Sequence, residues 1–335
     1  MPVRIGINGF GRIGRLVFRA GLDNPNVEFV MVNDLGSVET MAHLLKYDSV
    51  HGVLDKEVKV VEGGFTVNGK LVKLASQKDP SALPWGENKV DFVVESTGIF
   101  RGKSTAGKHI AGGAKKVIVS APGDADIDAT FVMGVNNETY NPKAHDVVSN
   151  ASCTTNCLAP VAKVINDNWK IKRGLMTTVH AYTNDQQLQD FPHKDLRRAR
   201  AAAVSMIPSS TGAAKAIGLV LPDLNGKLDG FAIRVPTPNV SVVDLSCEVE
   251  KPATAAEINE ACRKAAAGPL KNILAVADEP LVSIDFNHSP LSSTLDSEYT
   301  RVIDKTFVKI LSWYDNEWGY SNRVIDLVLY MASKQ

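Results

Sequence analysis

Net charge is the first thing this sequence lacks: 37 Lys and Arg are matched by 37 Asp and Glu over 335 residues. A balanced chain exerts no long-range pull on nucleic acid or anionic lipid, so charged ligands must be held by local clusters. Long apolar runs are also missing. None approaches the roughly 20 residues that cross a bilayer. Met1-Pro2-Val3-Arg4-Ile5 runs straight into a strand pattern, with no signal-peptide hydrophobic region and no transit-peptide composition before it. Four cysteines in a chain this long make no disulfide framework. Cys153 and Cys157 lie one helical turn apart, but no second Cys/His pair completes a tetrahedral set, so no metal site is expected. Internal repeats and low-complexity linkers are absent as well. Together these absences point to a cytoplasmic enzyme with reduced thiols, no membrane partner and no primary nucleic-acid partner.

What is present is 44% apolar and 22% charged residues, enough to bury a large core without staples. The length corresponds to about two domains. Over 1–150, strand and helix patterns alternate: strands at 3–8, 29–33, 90–95 and 116–120, with a helical pattern through Gly21. Ser37 is placed to cap a helix whose apolar face includes Met41, Leu44 and Leu45. Residues 65–72 read as a hairpin turning at Asn68-Gly69. This alternation predicts a mostly parallel sheet covered on both faces. From 151 to 317 the pattern changes to one long helix at 154–169 and alternating strands at 176–182, 231–235, 240–250, 281–285 and 306–314. That predicts an α+β domain with a largely antiparallel sheet, with a helix at 254–267 against it. The tail, 318–333, carries Val324, Leu327, Val328 and Met331 at helical spacing.

Gly9, Gly11 and Gly14 form a G-x-G-x-x-G with a strand before it and a helix after it. Asp34 ends the next strand, 20 residues beyond Gly14. Gly9 permits the tight turn, Gly11 lets the backbone approach a pyrophosphate, and Gly14 packs helix on strand. The helix N-terminus supplies amide donors and a favourable dipole. Asp34 would accept from the adenosine ribose hydroxyls and repel a 2′-phosphate, so NAD is expected rather than NADP. Ordinary turn glycines share the spacing; the strand, helix and acid around it argue for a Rossmann-type, doubly wound dinucleotide-binding domain.

Ala151-Ser152-Cys153-Thr154-Thr155-Asn156-Cys157 opens the long helix, with Ser152 or Cys153 near the N-cap. Unpaired amides and the dipole there stabilise a thiolate. With a cationic or imidazole neighbour such a thiol can titrate at roughly 3.5–7.5. Cys157, Cys247 and Cys262 read as core residues. A nucleophilic cysteine needs a base, and His180 ends a strand where scaffold hands over to loop. His43, His51, His109, His145, His193 and His288 lie mostly in polar stretches and read as surface residues. Ser209-Ser210-Thr211-Gly212, before a helix at Ala213, suits an anion or a plain N-cap equally. Arg197-Arg198-Ala199-Arg200 fits an anion site, a solvated face or subunit ion pairs; zero net charge and the lack of interleaved aromatics weigh against a nucleic-acid patch. Arg234, inside an apolar strand, calls for an anionic partner from protein or ligand.

Together these segments resemble the phosphorylating glyceraldehyde-3-phosphate dehydrogenases, and the likeness covers essentially the whole chain. It is carried by Asn8-Gly9-Phe10-Gly11-Arg12-Ile13-Gly14, the cysteine motif through Leu158, His180-Ala181-Tyr182-Thr183, and Ser210-Thr211-Gly212-Ala213-Ala214-Lys215. Arg234-Val235-Pro236-Thr237-Pro238-Asn239 and Trp313-Tyr314-Asp315-Asn316-Glu317-Trp318-Gly319-Tyr320 complete it. The resemblance implies oxidation of D-glyceraldehyde 3-phosphate to 1,3-bisphosphoglycerate with NAD and inorganic phosphate, through a Cys153 thiohemiacetal and thioester with His180 as base. It maps the substrate phosphate onto Thr183, Asp185 and Arg234. Inorganic phosphate maps onto Ser152, Thr154, Thr211, Gly212 and Arg198, although the varying loop before them leaves Arg197 and Arg198 unresolved. Cofactor contacts carry over to Arg12, Ile13, Asp34, Ser120 and Asn316, with Tyr320 near the nicotinamide. Asp34-Leu35 and Pro192 match the NAD-using branch. The resemblance further implies a homotetramer, with the segment at about 183–206 packed across subunits and the helix at 318–335 returning to the nucleotide domain. Two rival expectations remain: an erythrose-4-phosphate dehydrogenase, and a non-catalytic thiol sensor or RNA-binding protein.

Overall fold

The computed structural model describes residues 1–335 and divides into two compact units. The first comprises Met1–Phe131, Asn137–Ala151 and Ser321–Gln335; the second comprises Val132–Asn136 and Ser152–Tyr320.

The first unit is built on nine strands: β1 (Val3–Asn8), β2 (Val27–Asn33), β3 (Val58–Val61), β4 (Gly64–Val67), β5 (Lys70–Ala75), β6 (Phe92–Glu95), β7 (Lys116–Val119), β8 (Ala129–Thr130) and β9 (Val147–Ser149). They lie in the order β8-β9-β7-β6-β1-β2-β5-β4-β3. Every pair from β8 to β5 is parallel, and only the β3–β4–β5 edge is antiparallel. The expected hairpin is β4–β5, with Val67 opposite Lys70 and both turn residues, Asn68 and Gly69, at positive φ. Helix α1 (Arg12–Gly21) follows β1, and α2 (Val38–Lys46) is capped as expected, Ser37 accepting from the Thr40 amide. Met41 and Leu45 are buried, whereas Leu44 is on the exposed face of α2, one residue off the apolar stripe. Continuous apolar strands such as Phe92–Glu95 and Lys116–Val119 are buried along their length, as parallel strands covered on both faces must be.

Gly14 is where local sequence decides the turn. A Cβ there would lie 2.1 Å from the carbonyl oxygen of Gly9. Backbone on both sides cannot yield, so Gly14→Ala is expected to cost about 3 kcal/mol or more in a denaturant unfolding experiment.

One histidine departs from the surface expectation. His109 is fully buried, held between Trp85 Nε1 and the Glu95 carboxylate. Its helix, Lys108–Ala111, is too short to show a buried face in sequence, and fixed hydrogen bonds on both ring nitrogens make burial tolerable.

The second unit holds β10 (Ile171–Ala181), β11 (Ile207–Ser210), β12 (Leu228–Val235), β13 (Ser241–Val249), β14 (Leu274–Ala277), β15 (Ser293–Asp296), β16 (Arg301–Ile303) and β17 (Phe307–Tyr314). The order is β11-β12-β10-β13-β17-β15-β14, with β16 on β17. Only β10–β12 and β14–β15 are parallel; the remaining pairs are antiparallel. β13 alternates buried and half-buried residues without a break, the signature of one packed face. Helix α3 (Cys153–Trp169) is the unit's long helix, followed by α4 (Ala213–Val220) and α5 (Ala255–Ala267), whose Thr254–Glu257 capping box fixes its start. The strand expected at 281–285 is instead a 3-10 turn, Ser283–Phe286, with the Val282 amide ahead of it donating to Asp285 Oδ2 at 2.8 Å. Helix α6 (Trp318–Ala332) crosses from the second unit into the first after Tyr320, and its Val324, Leu327, Val328 and Met331 are fully buried.

Candidate active site

Cys153 is presented by a strained elbow. Ala151 stands at φ 56°, a left-handed conformation that costs a non-glycine residue about 1–2 kcal/mol and turns the chain from β9 toward α3. Ser152 is the N-cap, its Oγ accepting from the Thr155 amide at 3.0 Å and meeting Thr155 Oγ1 at 2.8 Å. The cysteine is therefore the first residue of α3, at the positive end of the helix dipole.

His180 comes from the end of β10, and the parallel register of β10 and β12 sets it opposite Arg234. Its Nε2 is 3.5 Å from Cys153 Sγ. Its Nδ1 is 2.7 Å from the Ala181 carbonyl and 2.8 Å from Arg234 Nη1, which also donates to Ala181 O at 3.1 Å. The carbonyl only accepts and the guanidinium only donates, so these neighbours ask for opposite protonation of Nδ1. A proton on Nδ1 leaves Nε2 bare toward the thiol, which is the tautomer a general base needs. Burial pushes the imidazole down to about 3, and the Arg234 charge adds to that push.

Part of the Cys153 surface stays open, yet the surrounding protein desolvates the thiol and pushes its pKa up. Arg234 opposes that most, followed by the Thr154 hydroxyl and the Thr154 and Cys153 amides. Both shifts favour a thiol beside a neutral imidazole, where the helix terminus alone led to the expectation of a low-pKa thiolate. Depth of burial, which motif spacing does not convey, makes the difference. Charge from outside can tip the balance, and Arg234 is placed to receive it: its Nε is buried without a hydrogen-bond partner.

Around this centre, Arg198 pairs with Asp185 and donates from Nη2 to Ser210 O at 3.1 Å, next to Thr211. Arg197 is exposed, with its amide on Asp195 Oδ1. Both Arg198 and Asp185 lie within electrostatic reach of Arg234. Thr183 is half-buried, its amide 3.4 Å from Gln186 Oε1. Thr211 Oγ1 accepts from the Ala213 amide as α4 begins, and Gly212 is exposed with open space where a side chain would stand. Thr154 is buried and its hydroxyl is turned inward, 2.9 Å from the Tyr314 hydroxyl. Tyr314 also meets Thr178 Oγ1 at 2.8 Å and stands edge-on to the His180 ring. Sequence reasoning quoted Tyr314 within a motif but gave it no role; its signal was an inward-facing tyrosine that requires polar partners.

The glycine turn sits in the first unit. Gly9 has φ 88°, and the Phe10 amide donates to Asp34 Oδ2 at 2.7 Å while Gly36 N holds Oδ1 at 3.0 Å. No side chain caps α1, and a Cβ on Gly11 would meet nothing within 4 Å. An uncapped helix start beside an open glycine suits a pyrophosphate. Arg12 reaches Asp48 at 3.2 Å; burial opposes ionisation of Asp48, but the His51 and Val50 amides and Arg12 outweigh it and hold the carboxyl down to about 2. Ile13 is half-buried, and Ser120 Oγ donates to Glu95 O at 3.1 Å. In the second unit Asn316 Oδ1 accepts from Ser241 Oγ, which accepts from the Ala181 amide beside His180. Tyr320 is buried in the first turn of α6. No group of three His, Cys, Asp or Glu is close enough to hold a metal ion.

Two family profiles match the chain: "Glyceraldehyde 3-phosphate dehydrogenase, NAD binding domain" over residues 3–103 and "Glyceraldehyde 3-phosphate dehydrogenase, C-terminal domain" over residues 152–316. The chain belongs to the glyceraldehyde-3-phosphate dehydrogenase family. A glyceraldehyde-3-phosphate dehydrogenase of Geobacillus stearothermophilus is 62% identical over 334 residues, 100% of this chain and 99% of the relative. The type 1 enzyme of Bacillus subtilis is 60% identical with the same coverage, and the glyceraldehyde-3-phosphate dehydrogenase of Streptomyces coelicolor is 57% identical over 336 residues, covering all of both chains. These relatives of the family are all named for glyceraldehyde 3-phosphate, so the erythrose 4-phosphate and non-catalytic readings are not favoured.

Proposed function

We propose that this chain is an NAD-dependent enzyme that converts D-glyceraldehyde 3-phosphate and inorganic phosphate to 1,3-bisphosphoglycerate. The observation that carries the reading is Cys153 Sγ at 3.5 Å from His180 Nε2, with Arg234 against the same imidazole. Cys153 Sγ bonds to the aldehyde carbon while its proton passes to Nε2 and on to the new oxygen, leaving a thiohemiacetal and a neutral imidazole. Bound NAD supplies the hydride acceptor. His180 Nε2 then takes the hydroxyl proton as the carbonyl re-forms, which leaves a thioester on Cys153. An unprotonated oxygen of inorganic phosphate attacks that carbon and the C–S bond breaks; the thiolate recovers its proton from the imidazolium, and the acyl phosphate gives up its remaining phosphate proton to solvent. A thioester suits the task because it keeps the acyl group activated for transfer.

Arg234, with Thr183 and Asp185, is proposed to hold the substrate's phosphate, supported by the unpaired Nε and by Arg198 competing for Asp185. Burial is the main downward push on His180, with the Arg234 charge second; a dianion beside Arg234 offsets that second contribution and so shifts the imidazole pKa upward. Arg234→Leu is expected to cut kcat/KM for glyceraldehyde 3-phosphate about 100- to 1,000-fold, from the roughly 2–5 kcal/mol of a desolvated charge pair. Unphosphorylated glyceraldehyde should lose far less; equal losses would sink the assignment. Inorganic phosphate is assigned to Ser152, Thr154, Thr211, Gly212 and Arg198, with the last preferred over exposed Arg197 because it turns toward Asp185 and Ser210.

In the first unit the residues that fit NAD are Gly9, Gly11, Arg12, Ile13, Gly14, Asp34 and Ser120; Asn316 and Tyr320 are added by the resemblance alone. Asp34 is held in place by two amides, which leaves its remaining lone pairs for ribose hydroxyls. Asp34→Ala is expected to weaken NAD about 10- to 100-fold, as loss of a charge-assisted hydrogen bond implies, and to narrow the preference over NADP. An unchanged NAD to NADP ratio in binding titrations would contradict this.

A homotetramer in the cytoplasm is proposed for the whole protein. It is supported by Leu188, Phe191, Leu196, Val204 and Met206, each between 66% and 83% exposed in one stretch, where a lone chain would leave apolar side chains in water. Light scattering gives the mass directly. Phosphate-dependent formation of NADH from glyceraldehyde 3-phosphate tests the proposed reaction.

A further inference from the structure

Behind the glycine turn lies a chain of buried polar groups that the proposed reaction does not use. Trp85, His109, Glu95, Asn8 and Asn33 are each 4% exposed or less. Both ends of the chain can only donate, so every proton in it is assigned. At one end Trp85 Nε1 donates to His109 Nδ1 at 3.0 Å, which puts the imidazole proton on Nε2, donating to Glu95 Oε2 at 2.9 Å. At the other end the Gln77 amide donates to Asn33 Oδ1 at 2.8 Å, so Asn33 Nδ2 donates to Asn8 Oδ1 at 2.7 Å. Asn8 Nδ2 must then donate to Glu95 Oε2, at 2.5 Å. A third arm brings the Thr97 amide and hydroxyl to Glu95 Oε1, at 2.8 and 2.5 Å. Four donors converge on one buried carboxylate that accepts them all only when ionised.

What hangs on the arms is the cofactor turn. Asn8 immediately precedes Gly9, Asn33 immediately precedes Asp34, and Thr97 is the wall of the turn: a Cβ on Gly9 would lie 2.7 Å from Thr97 N. We infer that Glu95, held by His109, is a positioning residue that sets the glycine turn, Asp34 and the Thr97 backbone at the mutual spacing that NAD requires. The inference rests on the proposed NAD site and deepens it. His109 is the discriminating partner, because its neutral imidazole acts as one donor and one acceptor about as far apart as the two ends of a carboxamide.

Titration calorimetry of NAD into the cofactor-free protein tests it, on the parent, Glu95→Gln, His109→Leu and His109→Gln, with melting temperatures and steady-state kinetics alongside. Glu95→Gln sets an amide NH2 against either the His109 and Asn8 donors or the Thr97 amide, none of which can turn into an acceptor there. It should weaken NAD binding about 10- to 100-fold while the aldehyde KM and kcat at saturating NAD stay within about threefold. His109→Leu should do the same, and His109→Gln should restore NAD affinity to near the parent value. If Glu95→Gln does not fold, the two His109 variants decide. NAD affinity within twofold of the parent in folded His109→Leu, or aldehyde and NAD parameters falling together, would overturn the positioning role. A parent protein that binds no NAD would instead overturn the cofactor site itself.

Discussion

Cys153→Ser is expected to lose phosphate-dependent NADH formation by a factor on the order of 10⁴–10⁶ while remaining folded, as removal of a covalent nucleophile does in other enzymes. A serine hydroxyl at this position loses its proton far less readily than a thiol, and the single imidazole 3.5 Å away does not make up that difference. An oxygen ester, if formed, would be a poor acyl donor to phosphate. The substitution leaves the Ser152 cap and the buried Thr154–Tyr314 hydroxyl pair intact, so the melting temperature should move by only a few degrees. Residual turnover within tenfold of the parent would remove Cys153 from the reaction.

His180→Asn is expected to lower kcat by about 10²–10⁴-fold, the contribution of a positioned general acid–base. It should also change stability with a definite sign. In the folded site burial, aided by Arg234, holds the imidazole down to about 3, against 6.5 in the unfolded chain. Between those values the unfolded chain binds a proton that the folded one does not, so stability falls as pH drops from about 6.5 toward 3. Above 6.5 both states are neutral and the histidine contributes no slope. The asparagine variant lacks this acid-side loss, which amounts to a few kcal/mol on the order-of-magnitude scale of a buried group. Denaturant unfolding at pH 7 and pH 4.5 measures it: the gap between parent and variant should close or reverse in acid. An unchanged gap would mean that His180 is not buried as described.

Much of this was legible in sequence, for identifiable reasons. The glycine turn, the Ser37 and Thr254 caps and the Asn68-Gly69 hairpin are local, and each puts a residue with one preferred conformation at the place that needs it. Cys153 and His180 could be paired as candidates because a helix start and a strand end are where side chains meet ligands. Less accessible was anything set by tertiary depth. Leu44 faces water although it shares an apolar run with Leu45, and 281–285 closes into a turn because Asp285 satisfies the Val282 amide locally. β14 and β15 were missed because Leu-Ala-Val-Ala and Ser-Thr-Leu-Asp lack the apolar, β-branched run that marks the equally short β6 and β7. The upward push on the Cys153 thiol comes from neighbours distant in sequence, as does the burial of His109 between Trp85 and Glu95.

The measurement that bears most directly on the account follows NADH absorbance with glyceraldehyde 3-phosphate and NAD, with and without inorganic phosphate, on the parent and on Cys153→Ser. The account predicts sustained NADH formation only when phosphate is present, and none in the serine variant. Turnover in the parent that is equally fast without phosphate, or that survives in Cys153→Ser, would contradict a thioester resolved by phosphate.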